Sequence, residues 1–442
     1  MYRSKLADLI AWKNSPDRKP LIIRGARQTG KTWLMKEFGE KHYAKTVYIN
    51  FEKSKRLAGL FADDFDIARI IVALQAESGL IITPGDTLLV FDEIQAVPEA
   101  ITALKYFHED GAGYHVIAAG SLLGLAIHEG VSFPVGKVVL MDLSPMTFTE
   151  FLEAAGERAL VEMLQSGDWK LITVFKSRYI ERLRQYYFVG GMPEAVAQFG
   201  RDQDFKKVRA IQEQILDTYE LDFSKHAPED IIPRIRMLWN SVPSQLAREN
   251  RKFIYGAVRE GSRAKDYEMA LSWLIDCRQV YKVCRVSKPA MPLKAYEESN
   301  AFKLFHVDIG LLAAMVDLDA RTLLEGNALF SEFKGALTEQ YVHQQLACNE
   351  ALSVYYWSAE RSSAGVDFIL QYKNIIVPVE VKAEENLHSK SLRAFRDKFN
   401  PSVSLRASMS DYRREEWLIN LPLYALSEID NVLDRQGPQS LQ

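Results

Sequence analysis

The run Leu21-Ile22-Ile23-Arg24-Gly25-Ala26-Arg27-Gln28-Thr29-Gly30-Lys31-Thr32-Trp33 decides how the rest of this chain is read. Gly25 to Thr32 fit the pattern G-x-x-x-x-G-K-[ST] at every fixed position. The apolar residues 21–23 predict a short strand ending at Gly25, and a helix is expected to open near Lys31. Between them, glycines let the backbone bend so that successive N–H groups face inward around a phosphate. The helix N-terminus adds its partial positive charge. Lys31 offers a mobile cation to the β- and γ-phosphates of a triphosphate, and the Thr32 hydroxyl a ligand for Mg²⁺. Gly25, Ala26, Arg27, Gln28, Thr29, Gly30, Lys31, Thr32 and Trp33 are therefore the candidate phosphate-binding set.

The chain's 442 residues predict two or three domains, and its 48% hydrophobic and 26% charged residues are those of an ordinary globular protein. A formal net charge of −3 gives no global sign of a nucleic-acid binder, so any basic surface must be local. Cys277, Cys284 and Cys348 form no C-x-x-C pair, which argues against a zinc site or a disulfide framework and fits a reducing, cytoplasmic setting. No run approaches 18 apolar residues, so no membrane span is expected, and residues 1–15 read as an amphipathic helix rather than a signal peptide.

Downstream of the loop, 46–51 predicts a strand, and 65–78 a helix with Ile67, Ile70, Ile71 and Leu74 on one face. Thr87-Leu88-Leu89-Val90-Phe91-Asp92-Glu93 reads as a buried parallel strand carrying two acids at its C-terminal edge. Beside a phosphate-binding loop, Asp92 would hold Mg²⁺ and Glu93 would polarise the attacking water. A further strand over 114–121 ends at Ser121, a candidate contact to the γ-phosphate or the water. Alternating strands and helices predict an α/β fold with a parallel sheet and helices on both faces.

The segments RGARQTGKT, LLVFDEIQ, VIAAGSLLG, SFPVGKV and LSPMTFTEF, in that order, resemble the bacterial and archaeal ATPases of the AAA-like P-loop class. In that family a winged-helix segment and a C-terminal domain catalogued as DUF4143 follow. The resemblance implies ATP and Mg²⁺ as cofactors, with a P-loop core over 1–150, a helical lid over 151–230, a winged-helix segment over 231–326 and DUF4143 over 327–442. Members often carry Gly-Arg where this chain has Gly136-Lys137; lysine lacks the planar fork of arginine, and no arginine finger is assigned.

In the connecting region, 151–168 and 171–188 are helical in pattern, and Gly190-Gly191-Met192-Pro193-Glu194 breaks the second. These glycines resemble a family motif expected as a hinge near the nucleotide, with Arg178, Arg182 and Arg184 as cations that could reach the phosphates. Next, Pro243-Ser244 predicts the start of a helix at 245–249, followed by a helix over 265–277 and short strands at 280–283 and 302–305, the order of a winged helix-turn-helix. Residues 231–294 hold 13 Lys+Arg against 5 Asp+Glu, a local excess able to face a phosphate backbone.

The C-terminal region predicts a helix over 334–346 carrying Glu339, and strands at 354–357, 366–370 and 375–382. Glu380 and Lys382 fall on one face of the last strand, because side chains alternate. Helix-Glu339, strand-Asp367 and Glu380-x-Lys382 resemble the restriction-endonuclease-like, PD-(D/E)xK class. That resemblance implies metal ligation by Asp367 and Glu380 with Glu339, and Lys382 orienting the attacking water. The region carries no cationic excess to grip nucleic acid.

Two functions are thus expected to compete. One is an Mg-dependent ATPase coupling turnover to DNA binding or processing. The other is a nucleotide-dependent switch or scaffold, acting on protein partners or on itself, with a silent nuclease-like fold.

Overall fold

The computed structural model describes residues 1–62, 64–120, 133–248, 252–326, 331–359, 365–385 and 389–435. The chain separates into two compact units. The first comprises Tyr2–Ser144 with Ser272–Gln279; the second comprises Pro145–Leu271 and Val280–Gln442, together with Met1.

In the first unit, strands β1 (Leu21–Arg24), β2 (Lys45–Asn50), β3 (Thr87–Asp92), β4 (His115–Gly120) and β5 (Val139–Asp142) form a sheet in the order β2-β3-β4-β1-β5. Every pairing is parallel. Alternate residues feed opposite faces, as the period of two demands. Leu21, Ile23, Leu88, Val90, Ile117 and Ala119 pack with helices α1 (Lys5–Asn14) and α2 (Lys31–His42). Ile22, Leu89, Phe91, Val116 and Ala118 pack with α3 (Ile67–Ser78) and α4 (Pro98–Glu109). Asp66 caps α3 by accepting the N–H groups of Ala68 and Arg69. Parallel strands sandwiched this way are buried on both sides, which is why β3 reads as an unbroken apolar run closed by an acid.

The second unit is built on an eight-stranded sheet, ordered β12-β13-β11-β10-β9-β8-β6-β7. Its strands are β6 (Val280–Val286), β7 (Glu297–His306), β8 (Leu352–Ser358), β9 (Gly365–Tyr372), β10 (Ile375–Val381), β11 (Ser404–Ser408), β12 (Arg413–Arg414) and β13 (Leu418–Pro422). The β6–β7 hairpin, expected as the wing of a winged helix, forms one end of this sheet. It joins through the parallel pairing of Arg285 with Tyr356, and the last six residues of β7 are all buried. Strands from both sides of the boundary expected near residue 327 thus share one sheet.

Local expectations also shift here. Gly156 and Phe175 interrupt the two long helices predicted over 151–188, giving Phe148–Ala154, Arg158–Ser166, Trp169–Val174 and Lys176–Val189. Pro243 does not open a helix but lies inside Ile232–Leu246. A proline there costs one backbone hydrogen bond, which the buried stripe of Ile235, Leu238, Trp239, Val242 and Leu246 offsets.

The Gly190-Gly191 element lies in this second unit, where it is a packing seam. Gly190 is left-handed at φ 72°, and a Cβ on it would collide with the Asp308 carboxylate. The fully buried Asp308 accepts the N–H of Gly191 at 2.6 Å, that of Leu311 at 3.0 Å and the Gln344 amide at 3.0 Å. Burial still pushes this carboxyl above its ordinary range.

Two buried imidazoles tie this unit's stability to pH. His306 lies against the Trp239 ring and meets the Asp308 carbonyl, and burial lowers it to about 4. His343 stacks on Phe305 with centroids 4.3 Å apart, and burial lowers it to about 3. Each ring binds protons more weakly folded than unfolded. Its stabilising contribution is therefore complete above the ordinary value of 6.5 and is lost as pH falls toward the folded values. At pH 5 the loss is about 2 kcal/mol per ring. In urea titrations at pH 7.5 and 5, the second unit of His343→Phe should lose about 2 kcal/mol less between the two pH values than wild type.

Candidate active site

The six residues between β1 and α2 are shaped by local backbone constraints. Gly30 caps α2 at φ 90°, and Gln28 also lies in the left-handed region at φ 63°. A Cβ at Gly25 would collide with the carbonyl oxygen of Leu143, whose own N–H is held by Arg24 O at 2.7 Å. Ala26 and Thr29 are buried, and the Thr29 hydroxyl donates to Ala26 O at 2.9 Å. Trp33, included in the predicted set, is exposed on the first turn of α2.

Lys31 is only 7% exposed. Its Nζ donates to the carbonyl oxygens of Gly25 at 2.9 Å and Ala26 at 2.8 Å. Burial lowers the ammonium to about 8, while the carboxylates of Glu93 and Asp92 oppose that fall. Asp92, closing β3, sits one strand removed from β1, with β4 between them. The shared parallel direction brings the C-terminal ends of these strands to one edge of the sheet, where ligands of open α/β sheets bind.

Asp92 Oδ2 accepts the Thr32 hydroxyl at 2.8 Å and the Tyr48 phenol at 2.6 Å, and Oδ1 accepts the Glu93 N–H at 3.1 Å. Burial and the bond to Asp92 push Tyr48 up to about 12, so the phenol stays a donor. Thr32 and Asp92 thus present hard oxygens side by side, with a buried cation nearby to offset phosphate charge. That donor set fits Mg²⁺. Glu93 adopts φ 52°, just beyond the strand, and its Oε2 accepts the Gln95 amide at 2.6 Å. Ser121 lies outside the described residues.

Other cations near the motif have protein partners. Arg24 makes a two-pronged pair with Asp142, at 2.9 and 3.0 Å, and Arg278 meets the same carboxylate at 3.0 Å. Lys137 pairs with Glu109 at 2.8 Å. In the second unit, Arg178 and Arg182 both clasp Glu157, and Arg184 donates to Leu324 O. The three arginines considered for the phosphates are thus engaged within their own unit.

The C-terminal constellation is disposed differently from its expected metal site. Glu339 is fully buried and pairs with Lys303 of β7 at 2.6 Å. Lys303 also donates to the backbone oxygen of Asp367 at 3.2 Å and lies over the rings of Tyr356 and Phe368. The Asp367 carboxylate accepts the N–H of Val381 at 2.7 Å, and Glu380 pairs with Lys382 at 3.0 Å. Among the described residues, no group of three or more acid, histidine or cysteine side chains is placed to hold a metal. Each of the three carboxylates thus has a partner in the protein: Lys303 for Glu339, the Val381 N–H for Asp367 and Lys382 for Glu380.

Tyr48, Gln95, Lys303 and Arg3 (which reaches the loop from the N-terminal side) were not singled out from sequence. Lys303 alone left a trace, a lone charge inside the apolar run Phe302–Phe305.

Residues 17–152 match a family described as AAA domain. This part of the chain is similar to AAA domains. Beyond that match, residues 180–322 match a domain of unknown function, DUF8612, and residues 334–426 match another, DUF4143. No curated protein matches the chain. Among solved structures, a Walker-type ATPase of Pyrococcus abyssi is 13% identical, covering 71% of this chain and 95% of its own, with a TM-score of 0.45. The ORC2 protein of Aeropyrum pernix, in ADPNP–ADP complexes, is 14% identical over 72% of this chain and 94% of its own, with a TM-score of 0.39. No helix among the described residues is long and apolar enough to cross a membrane.

Lys303→Met should expose the cost of the buried pair. Removing one partner strands the other as a buried charge, at about 3–5 kcal/mol, whereas replacing both with apolar residues is close to neutral. Urea titration should therefore find Lys303→Met strongly destabilised and Lys303→Met with Glu339→Leu largely restored.

Proposed function

We propose that the chain binds ATP with Mg²⁺ at the loop Gly25–Thr32 and hydrolyses it, with Glu93 as general base. The observation that carries this reading is the convergence at one sheet edge of a buried ammonium, a hydroxyl–carboxylate pair and a second carboxylate held by its own amide partner. The N–H groups opening α2 have no partners within the helix and suit phosphate oxygens. Lys31 exchanges the carbonyls of Gly25 and Ala26 for phosphate. Thr32 and Asp92 would hold Mg²⁺, which supplies charge neutralisation for the phosphates. Glu93 takes the proton from the attacking water, and Gln95 fixes the carboxylate's direction. Ser121 remains a proposed contact to the phosphate or the water.

We further propose that turnover is coupled to DNA through the second unit. Arg234, Arg236, Arg248, Lys252, Arg259 and Arg263 are all exposed there, in the stretch with the cationic excess. The helices Ile232–Leu246, Tyr255–Val258 and Ala264–Asp276 followed by the β6–β7 hairpin keep the element order of a winged helix, with the hairpin recruited into the larger sheet. The helix-Glu, strand-Asp and Glu-x-Lys order likewise keeps the outline of a restriction-endonuclease-like fold. The engagement of its carboxylates favours recognition of a partner over cleavage.

Lys31→Ala should lose nucleotide binding in calorimetry. Glu93→Gln should bind ATP like wild type yet turn over about 10²–10⁴-fold more slowly. Because a bound phosphate restores the protonated form of Lys31, nucleotide binding above pH 8 should take up protons, seen as a dependence of the calorimetric enthalpy on buffer ionisation that Lys31→Ala abolishes. Turnover should rise with single-stranded, duplex or branched DNA. Turnover indifferent to every DNA form would leave the protein-partner switch as the better reading.

A further inference from the structure

Arg3 lies ahead of the AAA domain match, yet it touches the loop. Arg3 is 5% exposed. Nη1 donates to the carbonyl of Thr29 at 2.9 Å, and Nη2 to the carbonyl of Ser144 at 2.7 Å. One planar fork thus spans two segments of chain. Thr29 precedes the left-handed Gly30 that opens α2. Ser144 ends the strap after β5, which also carries Leu143, whose carbonyl packs against Gly25. Arg3 therefore touches the strap that confines the loop at its first residue, and the loop itself near its last.

The position of Arg3 is itself fixed. Its carbonyl accepts the N–H of Leu6 at the start of α1. α1 is anchored by Leu9 and Trp12, which lie in the core shared with Leu34, Met35 and Phe38 of α2. The Trp12 indole donates to Lys19 O at 2.8 Å, just before β1. The guanidinium thus projects from just ahead of a helix packed against the helix that the loop begins.

A trans peptide is planar, with its C=O and N–H pointing in opposite directions. Fixing the Thr29 oxygen on Arg3 therefore aims the N–H of Gly30 directly away from Arg3. Without that grip the Thr29–Gly30 peptide can rotate, helped by the conformational freedom of glycine, and the N–H loses its set direction. We infer that Arg3 is a positioning residue for nucleotide: it locks the Thr29–Gly30 peptide and the 142–144 strap so that the loop is preorganised for phosphate before any ligand arrives. Lysine is a poor substitute, since it cannot present two donors at the fixed spacing of the fork. This rests on the reading that the loop binds ATP.

The test is calorimetry with ADP and ATP, together with steady-state turnover, on full-length wild type, Arg3→Ala, Arg3→Lys and Trp12→Phe, each with a melting temperature measured without nucleotide. Trp12→Phe loosens α1 and leaves both Arg3 bonds in place. Arg3→Ala should weaken nucleotide binding roughly ten- to a hundredfold, as expected for lost bonds to a charged group. Its KM should rise accordingly while kcat changes little, since Thr32, Asp92 and Glu93 are untouched. Arg3→Lys should recover part of the affinity, and Trp12→Phe should melt earlier while binding like wild type. Arg3→Ala binding as tightly as wild type, or Trp12→Phe losing affinity in step with its stability, would overturn the role of Arg3 and leave the ATP reading standing. A wild type that binds no nucleotide would remove both.

Discussion

A buried ammonium cannot be left without acceptors, and the arrangement of the first unit follows from where Lys31 finds them. Its Nζ takes two carbonyls of the loop that precedes it, so the chain must curl back on itself between β1 and α2. That curl admits no side chain at Gly25, because the strap beyond β5 fills the space. Desolvation weakens the ammonium's hold on its proton, and the acids closing β3 pull the other way. The loop's curl and the acidic edge of β3 thus both bear on the charge of Lys31.

The same economy appears at Asp92, which receives a hydroxyl from α2 and a phenol from β2. A carboxylate with several donors is poised rather than idle, since any incoming cation must compete with groups already aligned on its lone pairs. In the second unit Lys303 serves as the internal counter-charge of Glu339. The two units therefore show two outcomes for acids at strand or helix positions near a sheet edge. One set faces a loop shaped for anions; the other is closed on lysine and backbone.

Legibility in the sequence divided along the same line. Strand β1, the loop, helix α2 and the acids of β3 were readable because each rests on local chemistry: an apolar run, a glycine where a Cβ cannot fit, a lysine at a helix start, carboxylates after a buried strand. Five of the second unit's strands were found nearly in place, but β11, β12 and β13 were missed, and so was the assembly. Nothing in residues 280–286 or 297–306 announces that β6 will run parallel to a strand some seventy positions later. Arg3 and Tyr48 were invisible for a related reason: their roles depend on carbonyls and carboxylates that only the tertiary fold brings near. The close approach at Gly190-Gly191 was not legible, because glycines that permit motion and glycines that permit close approach look identical in sequence. Only the proximity of Asp308 distinguishes them.

The single pairing between β6 and β8 has a consequence for how the chain can be divided. The DUF4143 match begins at residue 334, inside the helix Ser331–Ala347, and leaves β6 and β7 on the other side of the cut. A fragment beginning there would present the long margin of β8 with its N–H and C=O groups open, an invitation to pair with another copy. It would also strip Glu339 of its lysine. The boundary drawn by sequence likeness and the edge of the sheet are thus different lines.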